Sequence, residues 1–130
     1  MNYDITILFV ALLAILQVPA TFFVGFRRIE TKILISDGGD QTLLRRIRAH
    51  ANFTETVPIT LLAMAAADVA GAPDVVLWAG GSALLIGRTM HYFTIALTKG
   101  DSLLRAAGML LTFAAMLTFS GFALMQVWPS

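Results

Sequence analysis

The chain has 130 residues, 58% of them hydrophobic and only 13% charged, with a formal net charge of +1 and a mean hydropathy of +0.79. Soluble proteins carry roughly 25% charged residues, and a domain this small has too little interior to hide so much apolar surface, so a soluble domain is excluded and no nucleic-acid partner is expected. The absence of cysteine removes disulfides, a thiolate nucleophile and cysteine-held metal, and no metal site is expected.

The first apolar run covers Ile5 to Phe26. At about 1.5 Å per residue it spans roughly 33 Å, enough for a bilayer core. Pro19 lies inside it, where a membrane helix tolerates a kink. Basic residues follow this run and do not precede it, which is the wrong order for a cleaved leader. Residues 27–44 read as a polar cytoplasmic loop with a short interfacial helix carrying Ile29, Ile33 and Leu34. A second helix is expected over about 46–70, closed by the GlyAlaPro turn at 71–73. A third is expected over about 74–98 and a fourth over about 103–127. The expected fold is all-α, an integral membrane four-helix bundle forming one domain over residues 1–130.

Basic residues cluster in two connections: Arg27, Arg28, Lys32, Arg45, Arg46 and Arg48 between helices one and two, Lys99 and Arg105 between helices three and four. The other side holds Asp4, Asp68 and Asp74 and no base. The positive-inside rule then places both basic connections in the cytoplasm and both termini outside; a bacterial inner membrane is the expected location. Trp78, Trp128 and Tyr3 fall at the outer interface, where aromatic rings are favoured.

Helix two opens with LeuLeuArgArgIleArgAlaHisAlaAsnPheThrGluThrValPro. On a helix Arg45, Arg48, Asn52 and Glu55 share an arc of about 80°, and His50 points elsewhere. Glu55 and Arg88 lie at similar depths, roughly 14 and 16 Å from the basic side. An unpaired charge in hydrocarbon costs at least ~2.5 kcal/mol, so a Glu55–Arg88 contact is expected, with His91 on the same face of helix three. A structural ion pair accounts for those two residues alone. It leaves unexplained the surplus of guanidinium groups, which suits a carboxylate-bearing ligand. Small residues at Ala79, Ala83 and Gly87, and at Ala63 and Ala67, permit close helix packing either within one chain or between copies. Phe113, Phe119 and Phe122 are expected to face lipid or the core.

These residues make the chain resemble the MAPEG family, the membrane-associated proteins of eicosanoid and glutathione metabolism, in its short prokaryotic form. The resemblance is carried by Arg-x-x-Arg-Ala-x-x-Asn-x-x-Glu-x-x-Pro from Arg45 to Pro58, by GlyArgThrMetHisTyr at 87–92 and by Arg105. It implies a homotrimer binding glutathione, or another anionic low-molecular-weight thiol, between neighbouring copies near the cytoplasmic side. It implies that Arg48, Asn52, Glu55, Arg88, His91 and either Arg27 or Arg28 hold the tripeptide, and that Arg105 activates its thiol. A guanidinium favours the thiolate, which then attacks a small hydrophobic electrophile or reduces a lipid hydroperoxide. Many catalytic relatives carry tyrosines where this chain has Thr56 and Ile95, and Arg105 stands about one residue out of register.

Two other functions compete with a glutathione transferase or peroxidase. A non-catalytic membrane scaffold is compatible with the missing tyrosines. A small exporter of cations would need a buried acid; Glu55 is the candidate, but the surrounding arginines repel a cationic cargo.

Overall fold

The computed structural model describes residues 3–99 and 103–128. They form four helices in chain order, α1 Asp4–Thr31, α2 Gln41–Val69, α3 Asp74–Leu97 and α4 Leu103–Val127, with no strand among the described residues. The expected ends of α3 and α4 agree within a residue. The α1–α2 connection does not match the expectation. α1 runs five residues past Phe26 and α2 begins at Gln41, so the connection shrinks to residues 32–40 and holds no separate interfacial helix.

The reason is local chemistry. Arginine and glutamate are good helix formers, so the helix need not stop where its apolar run stops. α1 ends at Lys32, in the left-handed conformation at φ 57°. α2 starts at Asp40, whose side chain accepts from the Leu43 backbone N–H at 2.6 Å and caps the helix. Arg27 grips the same carboxylate through two N–H groups, at 3.2 and 2.8 Å, and pairs with Glu30 at 2.9 Å. This guanidinium holds the Asp40 carboxyl below its ordinary titration range. Arg28 donates to the carbonyls of Ile33, Leu34 and Ser36 and closes the loop from within.

At the opposite end Gly71, at φ 86°, makes the turn into Pro73 and α3. There the Thr6 hydroxyl donates to Asp68 at 2.5 Å and ties α1 to α2.

α3 packs on α4 and α2, α2 also on α4 and α1, and α1 reaches α3; among the described residues no close backbone approach joins α1 to α4. The core runs through Phe9, Leu13, Phe53, Met64, Leu84 and Phe119. Glycines set its closest approaches. The Phe119 and Phe9 rings occupy the space a side chain would need at Gly80 and Gly81. At Gly87 and Gly108 the α3 and α4 backbones meet directly: a Cβ on Gly108 would lie 2.6 Å from the Gly87 carbonyl oxygen. The Gly87 end of the small-residue row is thus buried inside one chain. Phe119 is buried and Phe113 is exposed.

α1 and α4 are each long and apolar enough to cross a membrane by themselves. They expose large apolar side chains outward, among them Ile15, Phe22, Leu110 and Leu117. In water such an apolar surface would be an aggregation liability; facing lipid it needs no cover. α2 and α3 carry the polar residues and hold them against each other and against α4.

Candidate functional site

The α2 arc behaves as its period requires. Arg45, Arg48, Asn52 and Glu55 line one open groove of about 480 Å³ and are joined there by Ile95 from α3 and Arg105 from α4. Asn52, Ile95 and Arg105 also border an adjoining depression of about 780 Å³, completed by His91, Leu103 and Met109. Both volumes lie in the range of small-molecule sites, about 300–1,000 Å³. Three guanidinium groups and one carboxylate line the first groove, so its potential is positive. Arg48, Glu55 and Arg105 are exposed within the single chain.

The helix-two arginines separate by direction. Arg45 and Arg48 turn to the groove. Arg46 turns to α1, where it donates to the Phe23 carbonyl at 3.0 Å and stacks 3.8 Å from the Phe23 ring centre. His50 also faces α1, its Nε2 lying 3.0 Å from the Thr21 hydroxyl and 3.3 Å from the Gln17 amide.

The expected Glu55–Arg88 contact is not formed. Arg88 is only 1% exposed and is solvated by neutral acceptors. Its Nη1 donates to the Asn52 side-chain oxygen at 2.7 Å and to the Thr56 hydroxyl at 3.1 Å. Its Nη2 donates to the Gly108 carbonyl at 3.2 Å and approaches the Met109 sulfur at 3.4 Å. Equal depth along two helices does not make two side chains face each other. Asn52, three residues before Glu55 and on the same arc, stands between α2 and α3, while Glu55 faces out along the groove.

Arg88 therefore supports the site from behind without lining it. Arg27 and Arg28 do not line the groove either; within one chain they hold the α1–α2 connection. His91 lies where α3 meets the first turn of α4, its Nδ1 2.8 Å from the Arg105 carbonyl. The Gly87–Gly108 contact makes this reach possible, since His91 also abuts Gly108 at 3.0 Å from where its Cβ would stand.

Sequence reasoning missed Thr56, Gly108 and Met109 as the remaining partners of Arg88. Thr56 had a signal: it follows Asn52 by four residues, one turn further on. Its hydroxyl is engaged on both sides, accepting from Arg88 and donating to the Asn52 carbonyl at 2.8 Å. Gly108 and Met109 had none, because their contacts depend on how α4 lies.

A separate apolar cavity of about 140 Å³ lies between α1, α2 and α3, lined by Leu16, Pro19, Phe23, Phe53, Tyr92 and Phe93. The Tyr92 hydroxyl donates to the Ala20 carbonyl there at 3.0 Å. This cavity shares no residue with the groove.

A helical bundle with two helices apolar enough to cross a membrane, and with guanidinium groups of α2 and α4 lining one open groove, has the form of a membrane protein with a cationic site. The chain belongs to the MAPEG family, whose model matches residues 6–125. It is 33% identical over 89 residues to the inner membrane protein YecN of Escherichia coli K12, an alignment covering 68% of each chain, and equally to YecN of strain CFT073. With the two apolar helices, this relationship supports a membrane location.

Proposed function

We propose that the groove binds glutathione, or another small anionic thiol, and presents it to hydrophobic electrophiles or lipid hydroperoxides in the membrane. One observation carries this reading: Arg45, Arg48, Asn52 and Glu55 from α2 converge with Arg105 from α4 on one open groove. Glutathione has two carboxylates, one amino group and one thiol. The guanidiniums match the carboxylates bidentately, Glu55 matches the amine, and an arginine beside the sulfur favours the thiolate. The openness of the groove in one chain fits completion by a second copy in a homotrimer; an arginine from the end of the neighbour's α1, Arg27 or Arg28, would have to exchange its bonds within its own chain for the ligand. Both basic connections face the cytoplasm in this reading, and both termini lie on the other side.

A second reading is binding without turnover, as a membrane scaffold. It is favoured by Thr56 and Ile95: the Thr56 hydroxyl is held by Arg88 and Asn52, and Ile95 offers the groove no donor. Export of a cation does not suit a carboxylate surrounded by three arginines.

The test is titration calorimetry of the detergent-solubilised protein with glutathione. Saturable binding is expected, weakened at least tenfold by Arg48→Ala, which is about 1.4 kcal/mol of lost charge-assisted bonding. Absence of heat in the unaltered protein rejects the reading. Binding without conjugation of a hydrophobic electrophile or reduction of a lipid hydroperoxide selects the scaffold.

A further inference from the structure

His91 does more here than fill a contact. Its Nδ1 lies 2.8 Å from the Arg105 carbonyl oxygen. A carbonyl only accepts, so in the neutral ring Nδ1 carries the proton and Nε2 holds a lone pair. Nε2 has no hydrogen-bond partner among the described residues. Nor is it sealed off, as the unpartnered Nε atoms of Arg45, Arg46 and Arg88 are. The 6% of His91 that stays accessible opens on the depression it lines with Asn52, Ile95, Arg105 and Met109.

Among the described residues lining that depression, His91 is the one neutral base. The Tyr92 hydroxyl next to it in sequence is turned away to α1. The Thr56 hydroxyl is engaged behind Asn52. Glu55 lines the adjoining groove and not this one. Among the described residues, the charged groups acting on His91 are Arg88, one turn earlier on α3, and Arg105 on α4, with neutral Asn52 on α2.

We propose that His91 Nε2 accepts the proton of the bound thiol, so that this chain carries a general base beside the arginine. The inference rests on the glutathione reading above. In the step, the S–H bond breaks, its electron pair stays on sulfur and the proton moves to Nε2. The resulting imidazolium keeps its Nδ1–H on the Arg105 carbonyl, and the thiolate faces the guanidinium of the same residue. Sulfur then bonds to the hydrophobic electrophile. The electron pair displaced from the electrophile, on its leaving group or adduct, takes the proton back from Nε2 and restores the neutral ring. A free thiol is only a few per cent ionised at pH 7, so a positioned base has a large effect to supply.

The experiment uses the solubilised protein labelled with 15N-histidine, the His50 signals being assigned with His50→Gln. Saturating glutathione at pH 7 is expected to convert His91 Nε2 from the unprotonated to the protonated 15N signature. S-methylglutathione, which has no thiol proton, is expected to bind and leave that signal unmoved. In parallel, the ultraviolet thiolate band of bound glutathione, read at saturation, is expected to fall severalfold in His91→Gln, to the fraction that the Arg105 guanidinium sustains by itself. Gln keeps a neutral polar side chain of similar reach and takes up no proton at pH 7, so the base is lost. An Nε2 that stays unprotonated on glutathione binding, or a full thiolate band in His91→Gln, overturns the proposal and leaves the glutathione reading standing. Absence of any binding heat overturns both. The labelling measurement uses the parent sequence and stands even where His91→Gln does not fold.

Discussion

Arg88 Nη1 donates to the Asn52 side-chain oxygen at 2.7 Å, so a fully buried residue of α3 fixes the orientation of a groove residue of α2. The guanidinium is shared among Asn52, Thr56 and the Gly108 carbonyl, and so connects three helices at one point. A buried charge satisfied by neutral acceptors is costly to desolvate, and replacing it with an apolar side chain of similar length is often neutral or stabilising. Its role is better explained by orientation than by stability.

Arg88→Met should therefore separate the two. Its melting temperature in detergent is expected to stay within the equivalent of about 1 kcal/mol of the parent, while glutathione affinity falls severalfold because Asn52 loses its anchor. Thr56→Val is expected to do the reverse, lowering stability by about 1–2 kcal/mol with a smaller effect on affinity, since it leaves Arg88 one acceptor short without altering the groove wall. Equal loss of affinity in both variants would reject the orienting role.

Gly108→Ala should be among the most damaging small changes in the chain. Its Cβ would stand 2.6 Å from the Gly87 carbonyl oxygen and 3.0 Å from the His91 backbone nitrogen, and backbone cannot step aside as a flexible side chain can. Destabilisation of about 1–3 kcal/mol is expected, together with weaker glutathione binding as α4 and Arg105 move outward. Gly121→Ala, with nothing within 4 Å of its Cβ, serves as the control. It is expected to be neutral or to stabilise by roughly 0.5–1 kcal/mol through helix propensity. Thermal unfolding of both in the same detergent checks the contrast.

The Asp40 carboxyl is held low by Arg27, and its folded value lies below the ordinary 3.8. The sign follows from linkage: its contribution is present above the unfolded value and is lost as pH falls through the depressed folded value. Hydrogen-exchange protection factors at the α2 N-terminus, with the intrinsic pH dependence of exchange divided out, are expected to be flat above that range and to fall in acid. Asp40→Asn keeps an N-cap but removes the charge, and is expected to abolish the acid-dependent part while retaining most protection. Protection in Asp40→Asn that still declines through the same acid range would assign the effect to another group.

Ile95 borders both parts of the site and offers no hydrogen bond. Ile95→Tyr places a phenol where many relatives of this family carry one. A gain of about 1 kcal/mol, or roughly fivefold in glutathione affinity, is expected from one added hydrogen bond. Titration calorimetry of the variant reads it directly, and unchanged affinity would show that the hydroxyl has no partner in this groove.

The helices were legible because their signals are local. Apolar runs of membrane-spanning length, the GlyAlaPro turn and the 100° period of Arg45, Arg48, Asn52 and Glu55 each depend only on neighbours along the chain. The α1–α2 connection departs from expectation for the converse reason: polarity across 27–44 suggests a loop, but polarity alone does not end a helix. Arg27 and Arg28 are helical, and their side chains reach forward to clamp Asp40 and the carbonyls of Ile33, Leu34 and Ser36.

By itself the sequence determined the four helices of an all-α bundle, the face shared by the α2 polar residues and the family to which the chain belongs. Only the tertiary structure decided that Arg88 meets Asn52 and not Glu55, that Arg46 leaves the groove for Phe23, and that His91 reaches the Arg105 carbonyl. Helical periodicity states which side chains share a face. Which neighbour that face meets, and at what rotation and height, is set by packing at contacts such as Gly87 against Gly108, far apart in sequence and unreadable from either position alone.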